Sequence, residues 1–393
     1  MKQLLLFIFV CFSNLCLTAQ KLSSAFEFNA NVTTDLIRNF SGGIKQGNSF
    51  IGVEQASLNF NTDSAKLWGG GNVFIHILNT HGDGPTKKYV GDMMYFSNIE
   101  AGYHFGLYEV YYAQDLNRFS FLIGQHDLNT EFAGTKYGEN FINSSYGVIS
   151  SVLLNVPLSI YPIAAPCIVA KYQITDHLKF KIATYDGVPG TIETNRFNLK
   201  WNINRDEGFF NIAEVSYKVM KHDQNGIHAY NGLKMGTYKF GMYYHTGKFV
   251  NNTDSTQLTR GNYGFYFIAD HMVIPKPSKP EEGLAFIVEL GWSPPKINLI
   301  SRSVEVGLRY HGLLPFRTRD FIGIGFTSAM LSSDYLKNNP ERLNSESSLE
   351  VTYKFQFGEH FFIQPDFQYI IHPGAVRGVR NAVTGNLRMQ VGL

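Results

Sequence analysis

Polar and apolar side chains alternate one by one along residues 349–371, the most regular pattern in the chain. Residues 358–360 (GEH) form a predicted tight turn, and a second alternation follows it. A period of two is typical of a β-strand with one apolar and one wet face. The stretch therefore predicts a β-hairpin, whose first strand has on its apolar face Leu349, Val351, Tyr353, Phe355 and Phe357.

The same alternation recurs along most of the chain in segments of roughly 9–11 residues, the length that a tilted strand needs to cross a bilayer. A soluble β-sandwich also alternates, but the aromatic apolar faces and the number of repeats favour a membrane barrel. No later stretch approaches the run of about 18 apolar residues that a membrane helix requires. We therefore predict an all-β fold, a transmembrane antiparallel β-barrel of about 16 to 18 strands, a size that suits a water-filled channel.

Several segments receive individual predictions. Residues 98–104 and 197–203 are predicted strands, whereas the Pro- and Lys-rich residues 274–282 are a predicted loop. Residues 25–32 alternate too, either as a first strand or as a periplasmic lead-in. Residues 126–162 alternate little, and a loop of that length is usually functional or disordered. Folded into a barrel it would narrow the channel, so we expect the constriction there.

Composition narrows the possible functions. Residues 1–19, an apolar run after Lys2, are predicted to be a secretory signal peptide, which leaves residues 20–393 as one barrel domain. Only Cys167 lies outside that signal, which excludes an internal disulfide or a thiolate metal cluster in the mature chain. The formal net charge of +2 argues against a nucleic-acid partner. The 22 tyrosines and 32 phenylalanines fit aromatic girdles at two membrane interfaces.

Short segments spread over almost the whole mature chain carry a family resemblance. They include 68–71 (WGGG), 97–100 (SNIE), 124–132 (GQHDLNTEF), 141–147 (FINSSYG), 185–189 (YDGVP), 310–313 (YHGL), 364–369 (QPDFQY) and 372–374 (HPG). Together, in this order, they resemble the OprB-type carbohydrate-selective porins of Gram-negative outer membranes. The resemblance implies a sixteen-stranded outer-membrane porin barrel through which small neutral sugars diffuse. Its expected surroundings are outer-membrane lipid and lipopolysaccharide, with the protein as a monomer or homotrimer.

A channel that favours sugars needs hydrogen-bond donors and acceptors, a ring to stack on, and binding weak enough for release. The alternative for any one polar lumen residue is a place in a salt-bridged wall that holds the barrel's shape. The strands supply these candidates for pore lining or sugar binding: Glu100, Glu109, Arg118, Glu289, Glu305, Arg309, Glu350 and Asp366.

The long loop supplies a second group of candidates. Asp127, Asn129, Glu131 and Asn143 are expected near the constriction. Their alternative role is ordinary capping and turn chemistry within the loop.

Motifs for catalysis are missing from the sequence, which has no Gly-x-Ser-x-Gly elbow and no His-Glu-x-x-His pair. We predict a channel rather than an enzyme, with no cofactor or metal. The favoured function is passive, sugar-preferring diffusion. A plugged structural or adhesive barrel stays open, and so does a general or anion-selective porin, hinted at by Lys179, Lys181, Lys200 and Lys218.

Overall fold

Sixteen antiparallel strands pair in sequence order, and the first closes on the last to form a barrel. This confirms the predicted fold class and strand number. The computed structural model describes residues 24–201, 203–219, 235–276 and 279–393, so the predicted signal peptide lies outside the described residues. The strands are β1 (Phe26–Gly43), β2 (Gly47–Asn61), β3 (Gly71–Gly82), β4 (His104–Leu116), β5 (Phe119–His126), β6 (Ala165–Gln173), β7 (Leu178–Asp186), β8 (Phe209–Val219), β9 (Met235–Val250), β10 (Leu258–Lys276), β11 (Lys279–Trp292), β12 (Ile300–His311), β13 (Phe321–Leu331), β14 (Ser345–Phe357), β15 (Phe361–Ile371) and β16 (Arg380–Gly392).

Helical structure is confined to short pieces of the connections. Among the described residues, no helix has the length and apolar composition needed to cross a membrane. The pieces are a π-turn at Thr86–Val90, α-helices at Ser150–Leu153 and Ser333–Asn338, and 3-10 turns at Leu128–Thr130, Gly138–Asn140, Ser144–Tyr146 and Pro373–Ala375.

The strands expose their apolar faces and bury their polar ones, the reverse of a soluble protein. Outward-facing Val351 and Phe367 are 47% and 58% exposed, whereas their neighbours Glu350 and Asp366 are each 1% exposed. A lipid-facing exterior and a polar interior produce this inversion in a membrane barrel. The facing that the alternation in 349–371 predicts is therefore present.

The two ends of the barrel differ in their connections. The end at which β1 begins and β16 ends has the short turns 117–118, 174–177 and 358–360. The longest described connections, residues 83–103, 127–164 and 187–208, are at the other end. Outer-membrane barrels have short periplasmic turns and longer extracellular loops, so we call the end with the long connections the outer end.

Two predicted strands are absent. Residues 98–103 belong to the loop before β4, which begins at His104, and the Asn98 amide donates to Ile142 O rather than to a strand ladder. Of residues 197–203, residue 202 lies outside the described residues, Phe197 and Asn198 lie in a turn, and the described residues form no ladder, since β5 pairs with β4 only as far as Val110. The segment instead covers the unpaired outer part of β4, where the Leu107 amide donates to Phe197 O at 3.0 Å.

Two other expectations are resolved by the strand ladders. Residues 25–32 are not a lead-in, because β1 begins at Phe26 and pairs with both β2 and β16. The predicted loop at 274–282 is wrong, since β10 runs to Lys276 and β11 starts at Lys279. Register shifts flank Pro275, and such irregularities let a strand include a proline, which cannot donate to the ladder.

One side of the lumen is filled with apolar side chains. Residues 127–164, hereafter the inward segment, contribute Phe132, Ile149 and Val152 to a buried cluster. Strands along β5 to β10 contribute inward-facing partners such as Val169 and Ile268. Burying each large apolar side chain stabilises by about 1.5–3 kcal/mol, so this cluster fixes the inward segment inside the barrel.

Candidate functional site

Carboxyl side chains of the barrel wall accept hydrogen bonds from backbone amides in the middle of the inward segment. On β14, the Glu350 carboxylate accepts the backbone amides of Ile142 at 2.7 Å and Asn143 at 3.1 Å. On β12, Glu305 accepts the Ser150 amide at 3.2 Å. Each such hydrogen bond stabilises by about 0.5–1.5 kcal/mol net, so together these contacts secure the backbone of the segment.

The same contact recurs elsewhere around the barrel. Glu214 on β8 accepts the Ala133 amide and Asp270 on β10 accepts the Lys136 amide, each at 3.0 Å. Glu346 on β14 accepts the amides of Met93 and Met94 in the 83–103 loop, at 2.8 and 2.9 Å. We call these five residues the anchor carboxylates: Glu214, Asp270, Glu305, Glu346 and Glu350.

The loop candidates organise the inward segment itself. Asp127 accepts the Tyr108 hydroxyl at 2.5 Å and caps the turn through the Asn129 amide at 2.8 Å. The Asn129 side chain donates to Gly147 O at 2.7 Å, and Asn143 caps the Ser145 amide at 3.0 Å. These contacts correspond to the capping alternative.

Two candidates lie near the start of the inward segment. Glu131 forms an ion pair with Lys171 of β6 at 2.6 Å. Glu109 of β4 accepts the Asp127 amide at 3.0 Å and contacts His76 at 3.2 Å. Both carboxylates are therefore engaged by protein groups.

Three candidates on the strands face the lumen but form no hydrogen bond with the backbone of the inward segment. Asp366 accepts the Gln368 side chain at 3.0 Å. Glu289 lies opposite Glu305 in the β11–β12 ladder, and neither of its oxygens has a hydrogen-bond partner among the described residues. The Arg309 guanidinium lies 5.3 Å from the rings of both Tyr137 and Phe321.

Two candidates are not on strands, contrary to expectation. Glu100 is in the 83–103 loop, where its carboxylate accepts the Thr86 hydroxyl at 2.8 Å. Arg118 is exposed in the turn between β4 and β5 and donates to Ile174 O at 3.2 Å. That turn is at the periplasmic end, so Arg118 does not join the other candidates.

Beside the inward segment, three cavities follow one another across the barrel. The vestibule, about 760 Å³, is lined by residues of the outer loops 83–103, 127–164 and 187–208. It shares Asn98 and Tyr161 with the chamber, a cavity of about 320 Å³. The chamber shares Lys354, Phe362 and Gln390 with the exit, about 230 Å³, next to the periplasmic turn at His360.

The chamber combines amides with aromatic rings. The Lys354 ammonium lies 3.8 Å from the centre of the Phe362 ring, and no ion pair engages it within the described part of the chain. Arg388 is held by Asp35 through two bonds of 2.8 and 2.9 Å. The polar uncharged lining residues are Thr33, Gln55, Asn98, Asn140, Gln364 and Gln390.

Sequence reasoning missed most of these cavity-lining residues. Lys354 and Gln364 lie on the polar faces of the two best predicted strands, so facing alone could have proposed them. Asn98 and Tyr161 lie on loops, and only the folded loops bring them together. None of the four lysines that hinted at anion selectivity lines the three cavities, and Lys181 is paired with Glu214 at 2.8 Å.

Two vestibule carboxyls have perturbed acidity. Burial raises the pKa of Glu100 to about 7, although hydrogen bonds from Thr86 work against the shift. Burial also raises the pKa of Asp127 to about 7, against the opposing hydrogen bond from Tyr108. No cluster of three or more potential metal-ligating side chains occurs in the described ranges.

Comparisons with known proteins agree with this architecture. The sequence profile of the family described as "Carbohydrate-selective porin, OprB family" matches residues 48–393. "Putative porin QuiX" of Acinetobacter baylyi is 20% identical, over 93% of this chain and 89% of that protein. "Porin B" of Pseudomonas aeruginosa is 20% identical, over 58% of this chain and 55% of that protein.

A solved structure shares the fold. The "High pH structure of Pseudomonas putida OprB" superposes with a TM-score of 0.84 at 17% identity, covering 95% of this chain and 96% of that chain. The profile match spans most of the chain, and the closed sixteen-strand barrel is the fold of that structure. The chain belongs to the OprB family of carbohydrate-selective porins, and it is a sugar-preferring channel of the bacterial outer membrane rather than an enzyme.

Proposed function

We propose that sugars cross this barrel through the vestibule, past Asn98 and Tyr161, into the chamber and out beside Lys354 and Phe362. The chamber supplies the chemistry that a sugar needs. Amide groups pair with hydroxyls, and the faces of aromatic rings suit the apolar faces of a sugar ring. Weak contacts at several points allow a molecule to enter and also to leave.

Asn98 is the observation that carries the proposal. Its side-chain oxygen is buried and has no hydrogen-bond partner among the described residues, yet the residue lines both the vestibule and the chamber. A buried polar atom without a partner costs about 1–3 kcal/mol. A rotation of the Asn98 side chain that turns this oxygen toward either cavity would let a sugar hydroxyl donate to it and would remove that cost as the sugar passes.

The anchor carboxylates have a positioning role in this proposal. Each accepts at least one backbone amide of the inward segment or of the 83–103 loop, and all five side chains are buried, so they are not exposed to a passing sugar. They instead hold the two loops that form one side of the path. Sequence candidates such as Glu305 and Glu350 would thus affect selectivity through the width of the channel.

The surroundings of the barrel form the remaining part of the proposal. Outward apolar residues such as Val351 and Phe367 would contact outer-membrane lipid, with lipopolysaccharide at the outer end. The three cavities lie within a barrel that one chain closes on itself. Each protomer would therefore conduct on its own, whether the protein is a monomer or a homotrimer.

The test is single-channel recording in planar bilayers with increasing glucose. Wild-type current should fall in a saturable way, since bound sugar obstructs ions. Asn98→Leu should raise the half-blocking concentration by about fivefold, the equivalent of one neutral hydrogen bond of about 1 kcal/mol. Asn338→Leu, at an exposed amide on an outer-end helix away from the cavities, is the matched control and should behave as wild type.

Two results would overturn the proposal at different levels. Wild-type current that is indifferent to glucose would contradict sugar passage by this path. Saturable block that is identical in Asn98→Leu would place the sugar contact elsewhere and remove Asn98 from the proposal.

A further inference from the structure

The vestibule and the chamber differ in chemistry although they adjoin. The chamber is rich in amides. One wall of the vestibule is apolar, made by Val148, Leu153, Ile160, Pro162, Ile163 and Ile192. A sugar alone offers little that would use this wall.

The apolar wall is supported from behind by packed side chains. Val148 belongs to the buried cluster of the inward segment, and Leu153 and Ile160 pack against it. These side chains therefore have a packed layer behind them and a cavity in front. Because the layer is already filled, the wall cannot collapse inward to remove its apolar surface from water.

The polar groups of the vestibule are largely engaged by the protein. Thr86 donates to Glu100, and Tyr108 and Asn129 donate to Asp127. The Tyr161 hydroxyl donates to Ile99 O at 3.0 Å, which fixes its ring at the boundary with the chamber. The buried polar atom without a hydrogen-bond partner that lies where the vestibule meets the chamber is the Asn98 side-chain oxygen.

The apolar vestibule lies outside the polar chamber, so a ligand that fills both would have an apolar group next to its sugar. A ligand that uses both cavities has its sugar at Asn98 and in the chamber, and an apolar group behind it in the vestibule. We propose that this channel binds glycosides with an aromatic or branched-alkyl aglycone more tightly than the free sugar. The inference rests on the proposed sugar path and names its substrate class.

Aglycone preference can be measured by current block in the wild-type protein. Phenyl β-D-glucoside, methyl β-D-glucoside and glucose would each be added from the outer side in planar bilayers. The phenyl compound should block at about tenfold lower concentration than the methyl compound, since burying an aromatic ring from water is favourable. Blocking events should also start more often from the outer side than from the periplasmic side, because the ring meets its wall first.

A vestibule variant tests where the preference arises. Ile192 is half-buried, lines only the vestibule among the three cavities and lies outside the hydrophobic clusters. Ile192→Asn should remove most of the advantage that the phenyl compound has over the methyl compound. Ile174→Asn, which introduces the same change at an exposed periplasmic turn, should keep the advantage.

The outcomes separate this inference from the proposed function. Equal block by phenyl and methyl glucosides, with normal glucose block, would overturn the aglycone preference and leave the sugar path intact. A phenyl advantage that survives in Ile192→Asn, with no preference for the outer side in wild type, would overturn the vestibule as its site. Absence of block by all three compounds would overturn the sugar path itself, and this inference with it.

Discussion

Two sides of the same lumen do different work. Along β6, β8 and β10, the inward residues Val169, Ile212 and Ile268 are at most 2% exposed and pack against the inward segment. Along β15 and β16, inward residues such as Gln364 and Gln390 line an open chamber. We call these the filled side and the open side. The comparison teaches that an inward-facing position in a barrel wall is not the same as a pore-lining position.

The strand sequences carry part of this difference. On β6, outward Ile168 is 58% exposed and inward Val169 is fully buried, so apolar residues occupy both faces. On β15, outward Phe367 alternates with inward Asp366 and Gln368. A strand that is covered on both faces loses its alternation. Weak alternation in a barrel strand therefore predicts that a loop packs against its inner face.

Matched phenylalanine truncations should give the largest difference between the two sides. Phe210 on β8 is 1% exposed within the filled side, whereas Phe362 on β15 lines the chamber and the exit. Phe210→Ala should lower the free energy of unfolding by about 3–5 kcal/mol, as for a fully packed aromatic residue. Phe362→Ala should lower it by a smaller amount, since Phe362 is 8% exposed and part of its ring already faces the two cavities.

Urea unfolding of the protein in lipid vesicles would measure both losses. Wild-type protein and both variants should be compared under the same conditions, because the lipid affects the absolute values. Equal losses at Phe210 and Phe362 would break the distinction between a filled and an open side.

A smaller effect should appear as a change of ion selectivity with pH. Glu100 and Asp127 have pKa values raised to about 7 by burial, so they are charged above that pH and neutral below it. Lowering the pH from about 8 to about 6 should therefore remove negative charge from the vestibule. The zero-current potential in a salt gradient should move toward anion preference.

A variant of one carboxyl assigns the pH effect. Glu100→Gln cannot titrate, so the change in zero-current potential between the same two pH values should be smaller than in wild type. A wild-type potential that stays constant over this range would contradict the raised pKa values.

Alternation predicts the barrel because the two faces of each strand can be identified from the residues of that strand alone. The hairpin at 349–371 has the expected turn, facing and burial. The pattern gives a wrong prediction at 197–203. Apolar residues alternate there, but the nearby strands β5, β6 and β7 have only 8, 9 and 9 residues and do not extend far enough to pair with this segment. The pattern misleads again at 274–282, because proline and lysine content suggests a loop although register shifts let the strands continue.

The candidate site was less accessible to sequence reasoning. The inward position of Glu350 follows from its strand, but its role depends on Ile142 and Asn143, which are about two hundred residues away in the chain. Lys354 is on the same polar face four positions later and lines the chamber. Glu350 contacts the inward segment whereas Lys354 lines the chamber, so their different roles depend on the path of that segment. No local sequence pattern predicts this path.

The central claim is that the anchor carboxylates narrow the path by holding the inward segment. Single-channel conductance of Glu350→Ala, with and without glucose, tests it most directly, with Glu341→Ala, at an exposed position between β13 and β14 that lines none of the three cavities, as the control. We predict higher conductance and weaker glucose block in Glu350→Ala, because the backbone amides of Ile142 and Asn143 lose their acceptor, and no change in the control. Wild-type conductance and glucose block in Glu350→Ala would contradict the account.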